Sequence, residues 1–323
     1  MFDLVSIGDI KLDTFVVLDD ASVQCELKDR DCQLCLPYGA KLLVKTFEPQ
    51  IAGSAPNVAV ALARLGLKTA TVSSVGHDAT AHLAFSRLKE EGVATQYIFE
   101  NKKTKSSFSI VMLFKGERTM LTSHAAHQYR LQKCPPTRWL YVSELGDDFE
   151  TLYKDVIGHV EKKKVKLALN PGTVQVRAGY KKLKSILKRT EVLFVNKEEG
   201  HELLKERNHF DMERLIRMLW KLGPATVVLT DGKKGAYAFD GGDILFAPIF
   251  PAHRVETTGA GDSFASAFLA ARMVKKDLGE ALRWGAVNSA SVVSVVGPQP
   301  GLLHRRELEK RLKAHQGFRV KRI

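Results

Sequence analysis

Short unbroken apolar runs alternate along this chain with longer segments whose apolar positions recur at helical spacing. Residues 2–8 (FDLVSIG) read as a strand buried on both faces, and 69–75 (TATVSSV) as the next. Between them, 54–65 read as a helix of small residues that begins near Pro56. A helix over 78–91 follows, with Leu83 and Leu88 inward. The pattern then predicts strands at 138–143, 165–169 and 191–195, and helices at 148–163, 174–189 and 198–205. A helix at 211–222, a strand at 225–229 and further strands near 235–239 and 243–248 come next. Helices near 260–275 and 278–295 and a basic helix over 304–314 complete the series. Strands that alternate with helices argue for an α/β fold with a mostly parallel sheet covered on both faces.

Two stretches break the alternation. Residues 12–50 and 95–123 carry short β-rich runs and no helical period. In the second, apolar runs flank Lys115, Gly116 and Glu117, a hairpin signal. Neither stretch is low in complexity, and no internal repeat divides the 323 residues, so 1–323 reads as a single domain with these two insertions.

Composition narrows the class. The hydrophobic fraction is 45% and the charged fraction 26%, values of a globular protein with a sizeable core. No apolar run approaches the roughly 18 residues of a membrane span. The first residues read as a buried strand rather than a signal peptide, which points to the cytoplasm. The net charge is +13. Its lysines and arginines share helices with leucine and isoleucine stripes, as in 181–189 and 304–314, so they read as solvated helix faces. No nucleic-acid partner is expected, although the field would help recruit an anionic nucleotide. Of four cysteines, Cys32 and Cys35 have a spacing that invites a zinc or redox reading. No second ligand pair accompanies them, and a strand would point them to opposite faces. Cys25, Cys32 and Cys35 therefore read as ordinary packed thiols.

The densest chemistry lies at 256–264, ETTGAGDSF, where small residues open an apolar helix. Backbone N–H groups at such a start can crowd around an anion, aided by the helix dipole. Asp262 is a poor phosphate partner. Either it caps a glycine turn, or it takes the proton of an attacking hydroxyl.

The run resembles the C-terminal signature of the ribokinase-like, or PfkB, carbohydrate kinases, which is usually DTTGAGDSF. Four further elements follow the family order: GDIKLD at 8–13, AGSAPNVA at 52–59, NKEE at 196–199 and TDGKKGA at 230–236. The resemblance implies a ribokinase-like three-layer α/β/α core, with the stretches 12–50 and 95–123 paired into a small β-sheet lid. It implies transfer of the γ-phosphoryl group of ATP, with Mg²⁺, to a hydroxyl of a small polyhydroxylated substrate, a sugar. Asp262 would be the general base, and Gly259, Ala260 and Gly261 the anion hole. Asp9, Asp13, Gly53 and Asn57 would bind substrate. Asn196, Thr230, Gly232, Gly235 and Asn288 would serve the nucleotide, and Glu199 with Asn196 would act on Mg²⁺ through water. Asn196 with Glu199 also reads as a capping box, and Asn288 as a buried helix asparagine. Relatives often dimerise through the lid, so a homodimer is implied.

Three positions depart from the family pattern. Ala52 replaces a glycine, and Pro56 directly precedes Asn57. Glu256 replaces an aspartate that many relatives hold near a monovalent-cation site, which leaves a K⁺ requirement open. A nucleoside kinase of the same core is the nearest alternative; Phe15, Phe47, Phe108, Met112 and Phe114 in the lid permit a base-binding surface. A sensor without turnover is the more distant one.

Overall fold

The computed structural model describes residues 1–25, 32–115, 117–125, 129–131, 133–205 and 211–323, with backbone only at 25, 46 and 47. Gly116 of the expected turn and the side chains of Cys25 and Phe47 lie outside the described residues.

The first strand, β1 (Phe2–Ile7), runs into β2 (Lys11–Leu18); a hairpin of β3 (Ser22–Cys25) and β4 (Cys32–Cys35) and the long β5 (Val44–Ala52) follow. Next come α1 (Ser54–Arg64), β6 (Thr69–Gly76), α2 (Ala79–Glu90), β7 (Ile98–Asn101), β8 (Ser107–Phe114) and β9 (Glu117–Ser123). The middle of the chain is β10 (Thr137–Val142), α3 (Phe149–Lys163), β11 (Lys166–Leu169), α4 (Thr173–Ala178), α5 (Tyr180–Leu187), β12 (Val192–Asn196) and α6 (Lys197–Leu204). Then follow α7 (Met212–Trp220), β13 (Thr226–Thr230), β14 (Ala236–Phe239) and β15 (Leu245–Ala247). The chain closes with α8 (Ala260–Met273), α9 (Leu278–Val292), α10 (Arg305–Ala314) and β16 (Lys321–Arg322).

Ten strands form one sheet in the order β16-β15-β14-β13-β12-β11-β10-β1-β6-β7. The seven from β13 to β7 in that order are parallel, and β14 to β16 add an antiparallel edge. Leu4, Val5 and Ile7 of β1 are buried on both sides, as a central parallel strand requires. One apolar cluster packs α1, α8, α9 and α10 on one face, and another packs α3 to α7 on the other. The result is the three-layer sandwich expected. Small side chains let α8 and α9 approach closely: a Cβ on Gly285 would sit 2.9 Å from the Phe264 ring.

The lid is a second sheet, β5-β2-β8-β9. β2 pairs antiparallel with β5 and parallel with β8, and β8 turns back into β9 with Phe114 opposite Glu117, the expected hairpin. The lid is not separate from the core: β2 leaves β1 after three residues, and β5 ends two residues before α1.

The structure corrects several expectations. β7 joins the edge of the main sheet beside β6, so the second insertion contributes only β8 and β9 to the lid. The helix expected over 174–189 breaks into α4 and α5 at Gly179, whose φ of 81° ends the first turn run. Leu83 is 51% exposed, because α2 buries Ala81, Ala84 and Leu88 instead. Cys32 is not a packed thiol. It lies exposed on the β3–β4 hairpin and is disulfide-bonded, while Cys35 and Cys134 are free. Backbone register places residue 25 opposite residue 32. Among the described residues no cluster of metal-ligating side chains forms, and no helix is long and apolar enough to cross a membrane.

Candidate active site

The start of α8 is built by one left-handed residue. Gly259 has φ 76° and ψ 2°, and a Cβ there would lie 2.5 Å from Pro298 Cβ. Only glycine fits that conformation and that contact. Past it, Ala260, Gly261 and Asp262 occupy the first helical turn; Ala260 N donates to Thr257 O at 3.2 Å, and the N–H groups of Gly261 and Asp262 lack helical acceptors. A Cβ on Gly261 would meet nothing within 4 Å, so open space lies against this backbone.

Asp262 is half-buried. Its Oδ2 accepts a hydrogen bond from Asn57 Nδ2 at 2.8 Å. Burial raises its carboxyl above the ordinary carboxylate range, and hydrogen bonds from Asn57 and Ser54 and the charges of Arg118 and Lys11 pull it partly back. Asn57 stands in the first turns of α1, which begins at Gly53. The φ of 108° at Gly53 admits no ordinary side chain, and a Cβ there would strike the Asp9 carbonyl.

Across the cleft stands β2. Asp13 is 4% exposed; its Oδ1 is buried with no partner among the described residues. Burial raises its carboxyl as well, against the Ser109 hydrogen bond and the charge of Lys11. Lys11, also on β2, is ion-paired with Glu144, and burial lowers its ammonium pKa against the pull of Asp9, Asp13 and Asp262. From the lid, Arg118 Nη1 donates to Thr257 Oγ1 at 2.6 Å, and Glu117 pairs with Arg254 at 2.6 Å. The lid hairpin is thereby tied to the loop that leads into α8.

On the opposite side, Asn196 Oδ1 accepts from Glu199 N, and Glu199 Oε2 accepts from Asn196 N, both at 2.8 Å. This is a complete capping box. Glu199 also feels Asp262: burial raises its carboxyl, and the charges of Glu198 and Asp262 add to that. The two carboxylates are therefore within electrostatic reach of each other. Tyr141 feels the charges of both; it is fully buried, with its hydroxyl accepting from Asn170 Nδ2 at 3.0 Å. Thr230 ends β13 beside Asn196, and a 3₁₀ turn over Gly232–Lys234 follows, closed by Asp231 N donating to Gly235 O at 2.8 Å.

Two candidates have their polar atoms engaged by protein partners. Asp9 accepts from His124 Nδ1 at 2.7 Å and from the Tyr129 hydroxyl at 2.9 Å, so its carboxylate holds the segment behind the lid. Asn288 is fully buried and spends its amide on Ser263 O at 2.8 Å and Leu303 N at 3.0 Å. It ties α9 to the start of α8 and to Leu303. Glu256 is 2% exposed, and its oxygens accept from Thr258 N at 2.7 Å and Gly297 N at 3.0 Å.

Sequence reasoning missed Lys11, Arg118, Tyr141, Glu144 and Gln299. Lys11 and Arg118 offered a signal, a charge inside an apolar β-run. The others offered none, because their importance comes from partners distant in the chain.

Residues 13–305 match the model of the pfkB family carbohydrate kinases. The ribokinase of Bacillus subtilis is 28% identical over 281 residues, 85% of this chain and 92% of that protein. Among solved structures, Arabidopsis thaliana ribokinase complexed with ribose and ATP superposes with a TM-score of 0.80 at 23% identity, covering 97% of this chain and 99% of the other. A nucleoside kinase of Methanocaldococcus jannaschii gives 0.77 at 21%, covering 98% and 99%. A ribokinase II from E. coli in complex with ATP and Mg²⁺ gives 0.79 at 19%, covering 98% and 100%. At these identities the structures establish the fold. The family match spans nearly the whole chain: this protein belongs to the pfkB family of carbohydrate kinases and is a phosphotransferase with an alcohol group as acceptor.

Proposed function

We propose that this protein moves the γ-phosphoryl group of ATP to a sugar hydroxyl, with Asp262 as the base. The observation that carries the reading is a pair of carboxyls close enough that the charge of one raises the other. Asp13 offers a buried oxygen, unpartnered among the described residues, that asks for a hydroxyl donor, and Asp262, whose charge bears on it, stands in the open first turn of α8. Asp262 takes the proton as the hydroxyl oxygen bonds to the γ-phosphorus. The bond from that phosphorus to the β,γ-bridging oxygen breaks, and ADP leaves. Backbone N–H groups at 259–261 stabilise the charge in transit, and Lys11 and Arg118 add positive field from the lid side.

Bound with ATP, Mg²⁺ would supply charge neutralisation at the phosphates, and Glu199 would hold it through water. Glu199 fits it: Oε2 is held by Asn196 N, which leaves a desolvated carboxylate with Oε1 free for a metal-bound water. Asn196 has its oxygen engaged, so its Nδ2 is left for phosphate. Thr230, Gly232 and Gly235 shape the nucleotide-side turn.

A sugar suits the acceptor side better than a nucleoside. Phe15 and Met112 are buried within the lid itself, and Phe108 is 48% exposed. Among the described residues, the groups that bear on Asp262 are polar or charged: Asn57, Ser54, Arg118 and Lys11. Strand β9 is an edge exposed along its whole length, which suits a lid-to-lid contact between two copies.

ADP release from Mg·ATP, measured over pentoses, hexoses, sugar phosphates and nucleosides, tests the reading. Stimulation by one sugar class, lost in Asp262→Asn, is expected. Stimulation by nucleosides alone would move the acceptor to the other class.

A further inference from the structure

Asp262 receives its hydrogen bond from an amide, and an amide works only when it points the right way. Asn57 Oδ1 accepts from Gln299 Nε2 at 3.1 Å, and the same nitrogen donates to Ile51 O at 3.0 Å. Gln299 Oε1 accepts from Arg87 Nε at 3.1 Å. Arg87 and Arg64 both grip Glu91, at 2.6 and 2.7 Å, and Arg64 also donates to the Gln299 and Leu302 carbonyls. Asn57 and Gln299 are each 3% exposed, so water does not substitute for these partners.

The two ends of this chain are unambiguous. A guanidinium only donates, and an ionised carboxylate only accepts. Gln299 must therefore turn its oxygen to Arg87 and its nitrogen to Asn57. Asn57 must then turn its oxygen to Gln299 and its nitrogen to Asp262. The Ile51 carbonyl fixes the same answer independently, since it accepts from the nitrogen of Gln299. Reversing either amide would set acceptor against acceptor in a buried place, where an unmade hydrogen bond is costly.

We propose that Gln299 is a positioning residue for phosphoryl transfer: through Asn57 it presents a donor to Asp262, as the middle of a one-way hydrogen-bond chain that starts at Arg87 on α2. The proposal rests on Asp262 as the base. Its neighbours in sequence serve the same site, since Gly297 N binds Glu256 and Pro298 packs on Gly259. The chain favours the ionised, proton-accepting form of Asp262 against the burial that disfavours it. The other groups that bear on Asp262 are Lys11 and Asp13 on β2, Arg118 on β9, Tyr141 on β10, Glu199 on α6 and Ser54 on α1.

Gln299→Glu keeps the shape and replaces the donor with an acceptor. Asn57 then turns its nitrogen toward position 299 and its oxygen toward Asp262. The acidic limb of kcat should move up by about 0.5–1 pH unit, the worth of one hydrogen bond, while the KM for ATP stays within about twofold. Gln299→Met removes polarity without reversing it, and should lower kcat with a smaller shift of the limb. In an Asp262→Asn background, either change should leave the residual turnover unaltered. A purely structural Gln299 would lower the melting temperature and leave the limb in place in both variants; that result overturns the proposal. Should Gln299→Glu not fold, Gln299→Met and Arg87→Met decide it by the same limb. Near-normal turnover in Asp262→Asn overturns the base assignment instead, and the two failures are thus told apart.

Discussion

Gly259 and Gly261 stand two residues apart in one motif, and the structure demands opposite outcomes when each gains a side chain. Gly261 sits inside the first turn of α8 with nothing within 4 Å of an added Cβ. In a helix, alanine is favoured over glycine by up to about 1 kcal/mol, and valine is about even with it. Unfolding 323 residues releases roughly 0.7 kcal/mol/K of entropy near the midpoint, so 1 kcal/mol moves Tm by about 1.5 °C. Gly261→Ala should therefore raise Tm by a degree or so, and Gly261→Val should leave it nearly fixed. Gly259→Ala must hold a left-handed φ, at about 1–2 kcal/mol, and push back Pro298, at about 1–3 kcal/mol. A fall of roughly 3–7 °C follows. Turnover separates the two differently. If the space before Gly261 receives the transferring phosphoryl group, the branched methyls of Gly261→Val block the backbone donor. The loss should be about 10²–10³-fold in kcat, the usual worth of one such donor. Thermal unfolding without nucleotide, beside steady-state kinetics, reads both. A Gly261→Val enzyme with wild-type kcat would show that the space is not used in transfer, and the anion hole would have to be sought elsewhere.

Asp262→Asn should cut kcat by about 10²–10⁴-fold with the KM for ATP little changed. Because the folded protein raises this carboxyl, the native state holds the proton more tightly than the unfolded chain. The associated stability is present at low pH and is lost as pH rises through the raised pKa, so the variant should melt higher than wild type at neutral pH. For the same reason wild-type turnover should climb with pH along a limb above the ordinary carboxylate range. Asn288→Ala orphans Ser263 O and Leu303 N, and should cost about 2–4 kcal/mol while ATP affinity at low temperature is kept; a selective loss of ATP binding in a stable protein would return Asn288 to the nucleotide pocket. Glu256 already joins the anion-hole loop to Gly297 by direct hydrogen bonds, so kcat in Na⁺ or Tris buffers should match that in K⁺. Activation by K⁺ alone would contradict this.

The glycine-rich start of α8, the small-residue α1 and the strand–helix alternation were all readable, because each is local: a period, a cap or a conformation only glycine adopts. Partners were not. Hydrophobic period places Asn288 in a helix but does not say that it meets Ser263 and Leu303, and it says nothing of Gln299, which lies between two expected helices and meets Asn57 and Arg87. The family-like run GDIKLD implies a substrate-binding Asp9; the engagement of Asp9 by His124 and Tyr129 depends on a segment more than a hundred residues later. Residues 98–101 and the lid strands have similar composition, so their assignment to different sheets was settled by pairing rather than pattern. The break at Gly179 was a single-residue event inside an otherwise helical period.

The lid strand β2 carries Asp13, whereas Asp262 belongs to the core helix α8. With the proposed roles, what is phosphorylated and how it is phosphorylated sit on separate pieces of architecture, which the chain joins from β1 to β2, β5 to α1, β7 to β8 and β9 to β10. Acceptor choice can diverge by redrawing two β-rich insertions while the transfer machinery stands unaltered. A chimera with the lid strands of a relative should inherit that relative's acceptor and keep this chain's nucleotide kinetics.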